Sequence, residues 1–149
     1  NIKKFRIDEG KILEKDITMR INTLATLLHE LEPYEKNRIA KTKKKLYNKL
    51  AEIDTKNIDE NRFEQELIYY LEKQDITEER VRLDSHLNYF IETMQTNFPN
   101  GKKLAFIGQE IGREINTIGS KSSDSEMQKI VVKMKDELEK VKEQTLNIL

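Results

Sequence analysis

Two stretches of this sequence set charged side chains about one helical turn apart, and both suit phosphate or proton chemistry. Asp75, Glu79, Arg82 and His86 follow one another at offsets of four, three and four. On a helix they line one flank beside an apolar stripe. There Glu79 and His86 suit metal binding or proton transfer, and Arg82 suits a phosphate. Further along, Glu110, Arg113, Glu114, Thr117 and Lys121 fall on adjoining positions. The carboxylates of Glu110 and Glu114, one turn apart, are half of a divalent-cation site. Arg62 and Glu66 make a smaller third flank. Each pattern also has a plainer explanation, a ladder of ion pairs along a helix surface with a histidine at its border. The functional reading gains if the helices pack side by side and the flanks meet.

A different signal comes from Lys36, Arg38, Lys41, Lys43, Lys44, Lys45 and Lys49, which have no acid between them. Like charges three and four residues apart destabilise a helix by roughly 0.2–0.5 kcal/mol per pair. Phosphate binding is the natural compensation. Lys41, Lys44 and Lys45 are the candidate contacts. The competing reading is a solvated basic helix neutralised by Glu52, Asp54, Asp59, Glu60, Glu64 and Glu66, which follow at once.

The elements that position these residues read as helices throughout. Ile17, Ile21, Leu24, Leu28 and Leu31 form one amphipathic stripe. Pro33 predicts an end to that helix and the start of another, whose stripe is Ile39, Leu46, Leu50 and Ile53, with Lys43 filling a gap. A third helix carries Phe63, Leu67, Tyr70 and Leu71 and pauses near Asp75, where Asp75 or Thr77 suits a cap. A fourth buries Leu83, Leu87, Phe90 and Met94. Asn97 to Gly101 is a loop. A fifth, from about Lys103 to Ile118, buries Leu104, Ile107, Ile111, Ile115 and Ile118. Gly119 to Asp124 breaks the pattern. The last helix repeats Met127, Val131, Met134, Leu138, Val141, Thr145 and Ile148. That heptad spacing makes a coiled-coil seam or a straight helix along a long partner. The expected fold is all-α: long antiparallel amphipathic helices in a bundle or hairpin array with a heptad-patterned C-terminal helix. It reads as one domain over residues 1–149, with a long helical hairpin over 1–56 and a motif-bearing region over 57–149.

Composition narrows the chemistry. The 149 residues carry 27 basic and 27 acidic side chains, and 36% are charged against the usual ~25%. Thin helical layers explain most of this, since they have much polar face and little core. No Cys is present, which removes disulfide scaffolds, cysteine zinc sites and thiol catalysis. Only His29 and His86 are available, so one chain cannot build a three-histidine metal site. No apolar run approaches the ~20 residues of a membrane span. The chain opens on Asn1 inside a helical pattern and shows no signal peptide. It reads as part of a longer protein.

Several motifs together resemble the C-terminal half of the YicC/YloC endoribonuclease family. They are Arg6-Ile-Asp-Glu-Gly10, Asn61-Arg-Phe-Glu-Gln-Glu66, Asp75-Ile-Thr-Glu-Glu79, Arg82-Leu83 with His86, and the stretch from Gly101-Lys-Lys-Leu104 through Phe106, Gln109-Glu110, Arg113-Glu114, Asn116-Thr117 and Ser120-Lys121. Glu143 to Ile148 adds the family's chain end. Ala105 and Gly112 depart from the family pattern, which often has Asp and Asn there. The resemblance implies a cytoplasmic protein that cuts RNA, depends on a divalent cation (Mn2+ or Mg2+) and forms a homo-oligomer, with a hexamer described. It does not imply a membrane role. Mapped onto the flanks, Glu79, Glu110 and Glu114 are the expected metal ligands. His86, Glu79 and Glu114 are the expected catalytic groups, and Arg82, Arg113 and Lys121 the phosphate clamps. Two other classes stay open. A non-catalytic RNA-binding or RNase-adaptor protein accounts for the basic run. A helical oligomerisation module, built on the heptad helix, accounts for the charged flanks as interface pairs.

Overall fold

A computed structural model describes residues 2–53, 59–96, 101–122 and 124–147. Among these residues five helices follow in order: α1 (Ile2–Ile53), α2 (Glu60–Gln74), α3 (Thr77–Met94), α4 (Gly101–Lys121) and α5 (Ser125–Leu146). The fold is all-α, and none of the described residues is in a strand. None of the described helices is long and apolar enough to cross a membrane.

The stripes named from the sequence build the core. Ile17, Ile21, Leu24, Leu28 and Leu31 of α1 join Leu83, Leu87 and Phe90 of α3, the α4 row from Leu104 to Ile118, and the α5 row from Met127 to Val141 in one buried cluster. The first part of α1 lies along α5, and α4 is sandwiched between α3 and α5. Thus the heptad seam of α5 is covered inside the chain, by α1 and α4. Ile148, the last position of the predicted seam, and most of the predicted loop at Asn97 to Gly101 lie outside the described residues. Two glycines let α4 and α5 approach closely. A Cβ on Gly112 would sit 3.2 Å from Leu138 Cδ2, and one on Gly119 3.1 Å from Val131 Cγ1. Gly112, unusual in mid-helix, therefore has a packing reason.

Some expectations fail on physical grounds. The hairpin over 1–56 does not form, because α1 is one helix of 52 residues that runs through Pro33. The proline ring is exposed. Its lost amide hydrogen bond costs a few kcal/mol, but well-packed turns on the N-terminal side and an unbroken buried stripe hold the helix through it. Beyond the proline that stripe passes through Arg38, Leu46 and Leu50, all buried. Ile39, expected in the core, is 46% exposed, and Lys43 faces solvent. The third-helix stripe is also weaker than expected: no α2 residue is fully buried. That helix packs on α1, with Phe63 edge-on to Tyr47 at 5.6 Å between ring centroids. The expected break after Ile118 is shorter, since α4 continues to Lys121.

Candidate functional site

The charged flanks of α3 and α4 meet where four elements converge: the middle of α1, the end of α2, the start of α3 and the end of α4. The α2–α3 junction is set by sequence. Asp75 accepts hydrogen bonds from the Thr77 amide (2.9 Å) and hydroxyl (2.5 Å), so the chain turns tightly there. Those two bonds hold the Asp75 carboxyl below its ordinary range. Ile76, fully buried, pins the turn to the core. Acids in the first turn of α3, Glu78 and Glu79, suit the positive end of its dipole.

Antiparallel packing of α3 on α4 then pairs acid with base twice. Arg82 Nε donates to Glu114 Oε1 at 2.8 Å, and Lys121 Nζ to Glu79 Oε1 at 2.7 Å. Arg82 also reaches Glu78 Oε2 at 3.3 Å and lies 3.9 Å from Glu79 Oε1. The carboxylates are the buried members: Glu79 is 4% exposed and Glu114 5%. The cations are at the surface, with the Arg82 side chain 47% exposed and that of Lys121 33%. Burial pushes the Glu79 carboxyl up, but the Lys121 hydrogen bond and the charges of Lys121 and Arg82 outweigh it, and it ends below the usual glutamate range. Its bond to Glu114 raises the Arg82 guanidinium. Glu79 Oε2 is buried without a hydrogen-bond partner.

Arg38 of α1 completes the junction. Its Nη1 donates to the Lys121 carbonyl at 2.7 Å, and its Nη2 donates to the Gln74 carbonyl. These are carbonyls of the last turns of α4 and α2, where helices leave acceptors unpaired and favour positive charge. Lys121 Nζ donates in addition to the Asp75 carbonyl at 3.1 Å. Arg38 is 6% exposed, and burial lowers its guanidinium from the usual arginine value. Sequence reading placed it in the basic run, open to phosphate binding or to plain solvation. The signal that finds it is phase: it lies seven residues after Leu31 and eight before Leu46, on the buried stripe.

Not every expected residue joins this cluster. His86 is half-buried one turn beyond Arg82 on α3. Arg113 is 75% exposed and lies 3.9 Å from Glu110. The third flank stands apart, as an exposed Arg62–Glu66 pair on α2. No group of three or more His, Asp or Glu side chains among the described residues could hold a metal ion. Glu79, Glu110 and Glu114 are therefore not assembled as a ligand set. Lys121 and Arg82 each bond one oxygen, of Glu79 and Glu114 respectively. Lys41 and Lys45 line a groove between α1 and α2 together with Arg38 and Lys49, whereas Lys44 is exposed outside it.

Comparison with known proteins supplies independent information. The family described as "Endoribonuclease YicC-like, C-terminal" matches residues 31–149. A protein of Clostridioides difficile (strain 630) named "Probable endoribonuclease YicC" is 42% identical over 149 residues, 99% of this chain and 51% of its own length. A Haemophilus influenzae protein of the same name is 28% identical over 140 residues, 94% of this chain and 48% of its own. The chain spans about half the length of these curated relatives.

Proposed function

The chain belongs to the YicC-like endoribonuclease family, and from that premise we propose that the α3–α4 junction grips and cuts RNA phosphodiester bonds in an oligomeric protein. The observation that carries this is the layering of the junction: buried carboxylates behind, half-exposed cations in front. Glu114 and Glu79 fix Arg82 and Lys121 in place. Arg82 commits one N–H to Glu114 and one to Glu78, and its guanidinium carries more donors than those pairs use. A preset guanidinium and ammonium stabilise the charge that grows on a phosphate as it is attacked, without reorganising. His86, one turn along the same flank, is our candidate for moving the proton of an attacking water or 2′-hydroxyl.

Divalent-metal dependence is a separable part of this reading. The expected three-carboxylate set is not assembled, but the unpartnered Glu79 Oε2 is a hard oxygen donor of the kind magnesium and manganese accept. Magnesium is often bound by one or two carboxylates plus substrate phosphates. Such an ion would neutralise phosphate charge when bound.

The test is a labelled RNA incubated with the family-length protein in Mn2+, in Mg2+ and with chelator, scored for both binding and cutting. Cutting is expected with metal, and Arg82→Gln and His86→Ala are each expected to reduce it at least a hundredfold with helicity intact. RNA bound but uncut under every metal condition would leave a binding protein instead. Undiminished cutting by the His86 variant would remove that residue's role.

A further inference from the structure

The groove between α1 and α2 lies outside the cutting junction and shares Arg38 with it. Its volume is about 470 Å³, and its walls include Arg38, Lys41, Lys45 and Lys49 from α1 with Tyr70 and Gln74 from α2. The lysines stand at every fourth residue, so their ammonium groups form one row along the helix. None of them makes an ion pair with a described residue. Among the described lining residues the acid on the rim, Asp124, is already turned to the Glu126 amide as the cap of α5. Underneath sits Arg38, nine-tenths buried, with no described carboxylate within ion-pair distance, only the longer-range charges of Glu35, Asp124 and Asp75, and with its Nε without a partner. A row of like charges over a buried cation costs stability unless an anion lies along it.

We infer that this groove binds a single-stranded segment of RNA, with Lys41, Lys45 and Lys49 along its phosphates, the buried Arg38 adding its charge from beneath, and Tyr70 under a base. The inference rests on RNA being the substrate and goes further, naming the strandedness and the track. Three features favour a single strand over a duplex. The row from Lys41 to Lys49 is about 12 Å long, enough for about three or four phosphates at the rise of a stacked strand. Recognition of duplex RNA by shape reaches across far longer spans, about 16 base pairs. Tyr70 is 38% exposed at the groove, and an aromatic face beside a basic track is how sequence-tolerant single-strand sites hold bases. The track also leads toward the junction: Arg38 touches the backbone of Lys121, whose side chain sits on Glu79.

The probe is a fluorescein-labelled twelve-nucleotide RNA, single-stranded and as a duplex with its complement, titrated by anisotropy from 50 to 300 mM salt. The expected result is preference for the single strand. Lys41→Gln with Lys45→Gln and Lys49→Gln is expected to weaken it at least tenfold and to flatten the log affinity against log salt by about two. Tyr70→Ala is expected to weaken binding about tenfold and Tyr70→Phe to restore it. A charge-matched control, Lys129→Gln with Lys133→Gln and Lys135→Gln on α5, is expected to keep the wild-type slope. Duplex bound as tightly as single strand, no RNA binding, or an unchanged slope in the groove triple variant overturns the inference. RNA cut normally while that slope is unchanged sinks the groove and spares the cutting site. Uncut RNA bound with the groove-dependent slope does the reverse.

Discussion

The two halves of α1 contrast sharply. From Ile17 to Leu31 its inward residues are almost completely buried and share a core with α3, α4 and α5. From Lys36 onward its neighbour is α2, which buries no side chain fully and leaves Ile68 57% and Tyr69 54% exposed. The first half supplies stability and the second supplies charge. A helix can carry seven basic residues without an acid when its foundation is elsewhere, since tertiary packing rather than propensity holds most helices. Arg38 stands at the boundary: its position belongs to the buried stripe, its chemistry to the basic run.

The largest expected contrast comes from cutting the same size of hole in each region. Ile115→Ala, in a fully buried position, is expected to cost about 3–4 kcal/mol. Leu71→Ala on α2 is expected to cost less than about 1 kcal/mol, because its side chain is only half-covered. Urea denaturation of the two variants measures this, and equal losses would show that the arm is as tightly built as the bundle.

Next in size is the ion pair at the junction. Lys121→Met leaves Glu79 buried without its closest cation and is expected to cost about 2 kcal/mol at neutral pH. The sign with pH follows from the lowered Glu79 carboxyl. Its contribution is complete above the ordinary glutamate range of about 4.5 and is lost as pH falls through the lower folded value. The wild type is therefore expected to lose its advantage over Lys121→Met progressively below about pH 4.5. A constant gap between the two denaturation curves down to pH 2 would remove the pair from the account.

Smallest is the effect of closing the glycine gaps. Gly119→Ala gains helix propensity, up to about 1 kcal/mol, but meets Val131, whose branched side chain cannot swing away. Gly112→Ala meets the end of Leu138 and, at ordinary contact distance, the tip of Lys142. Thermal melts are expected to rank Gly112→Ala as the more stable variant, by about 1 kcal/mol. The reverse order would mean that α4 and α5 yield where the contact distances say they are tight.

The sequence made the bundle legible because burial leaves a periodic trace: the rows Leu83 to Met94 and Leu104 to Ile118 are buried as their spacing predicts. Pro33 was misread because its effect depends on the packing around it, and that is not local information. The flanks of α3 and α4 were visible as charge at one-turn spacing. Their pairing was not, because Glu79–Lys121 and Arg82–Glu114 join residues 42 and 32 apart in the chain. Arg38 was hidden by residue type, since an arginine among lysines looks solvated unless its phase is followed. The three expected metal carboxylates do not gather among the described residues for a related reason. Spacing within a helix places carboxylates on one face, but the neighbouring helix decides whether a cation side chain reaches them first.

Running unbroken for 52 residues, about 78 Å at the usual rise, α1 behaves as a shaft as well as a wall. Its packed end and its basic end belong to one helix, joined through Pro33. One residue inserted between Leu31 and Arg38 would rotate the groove by about 100° around the bundle and lift Arg38 from both carbonyls it caps. Seven inserted residues would bring the same face back to within about 20°, but carried about 10 Å along the axis. The angle and the distance between the basic groove and the α3–α4 junction are thus written into the residue count of a single helix.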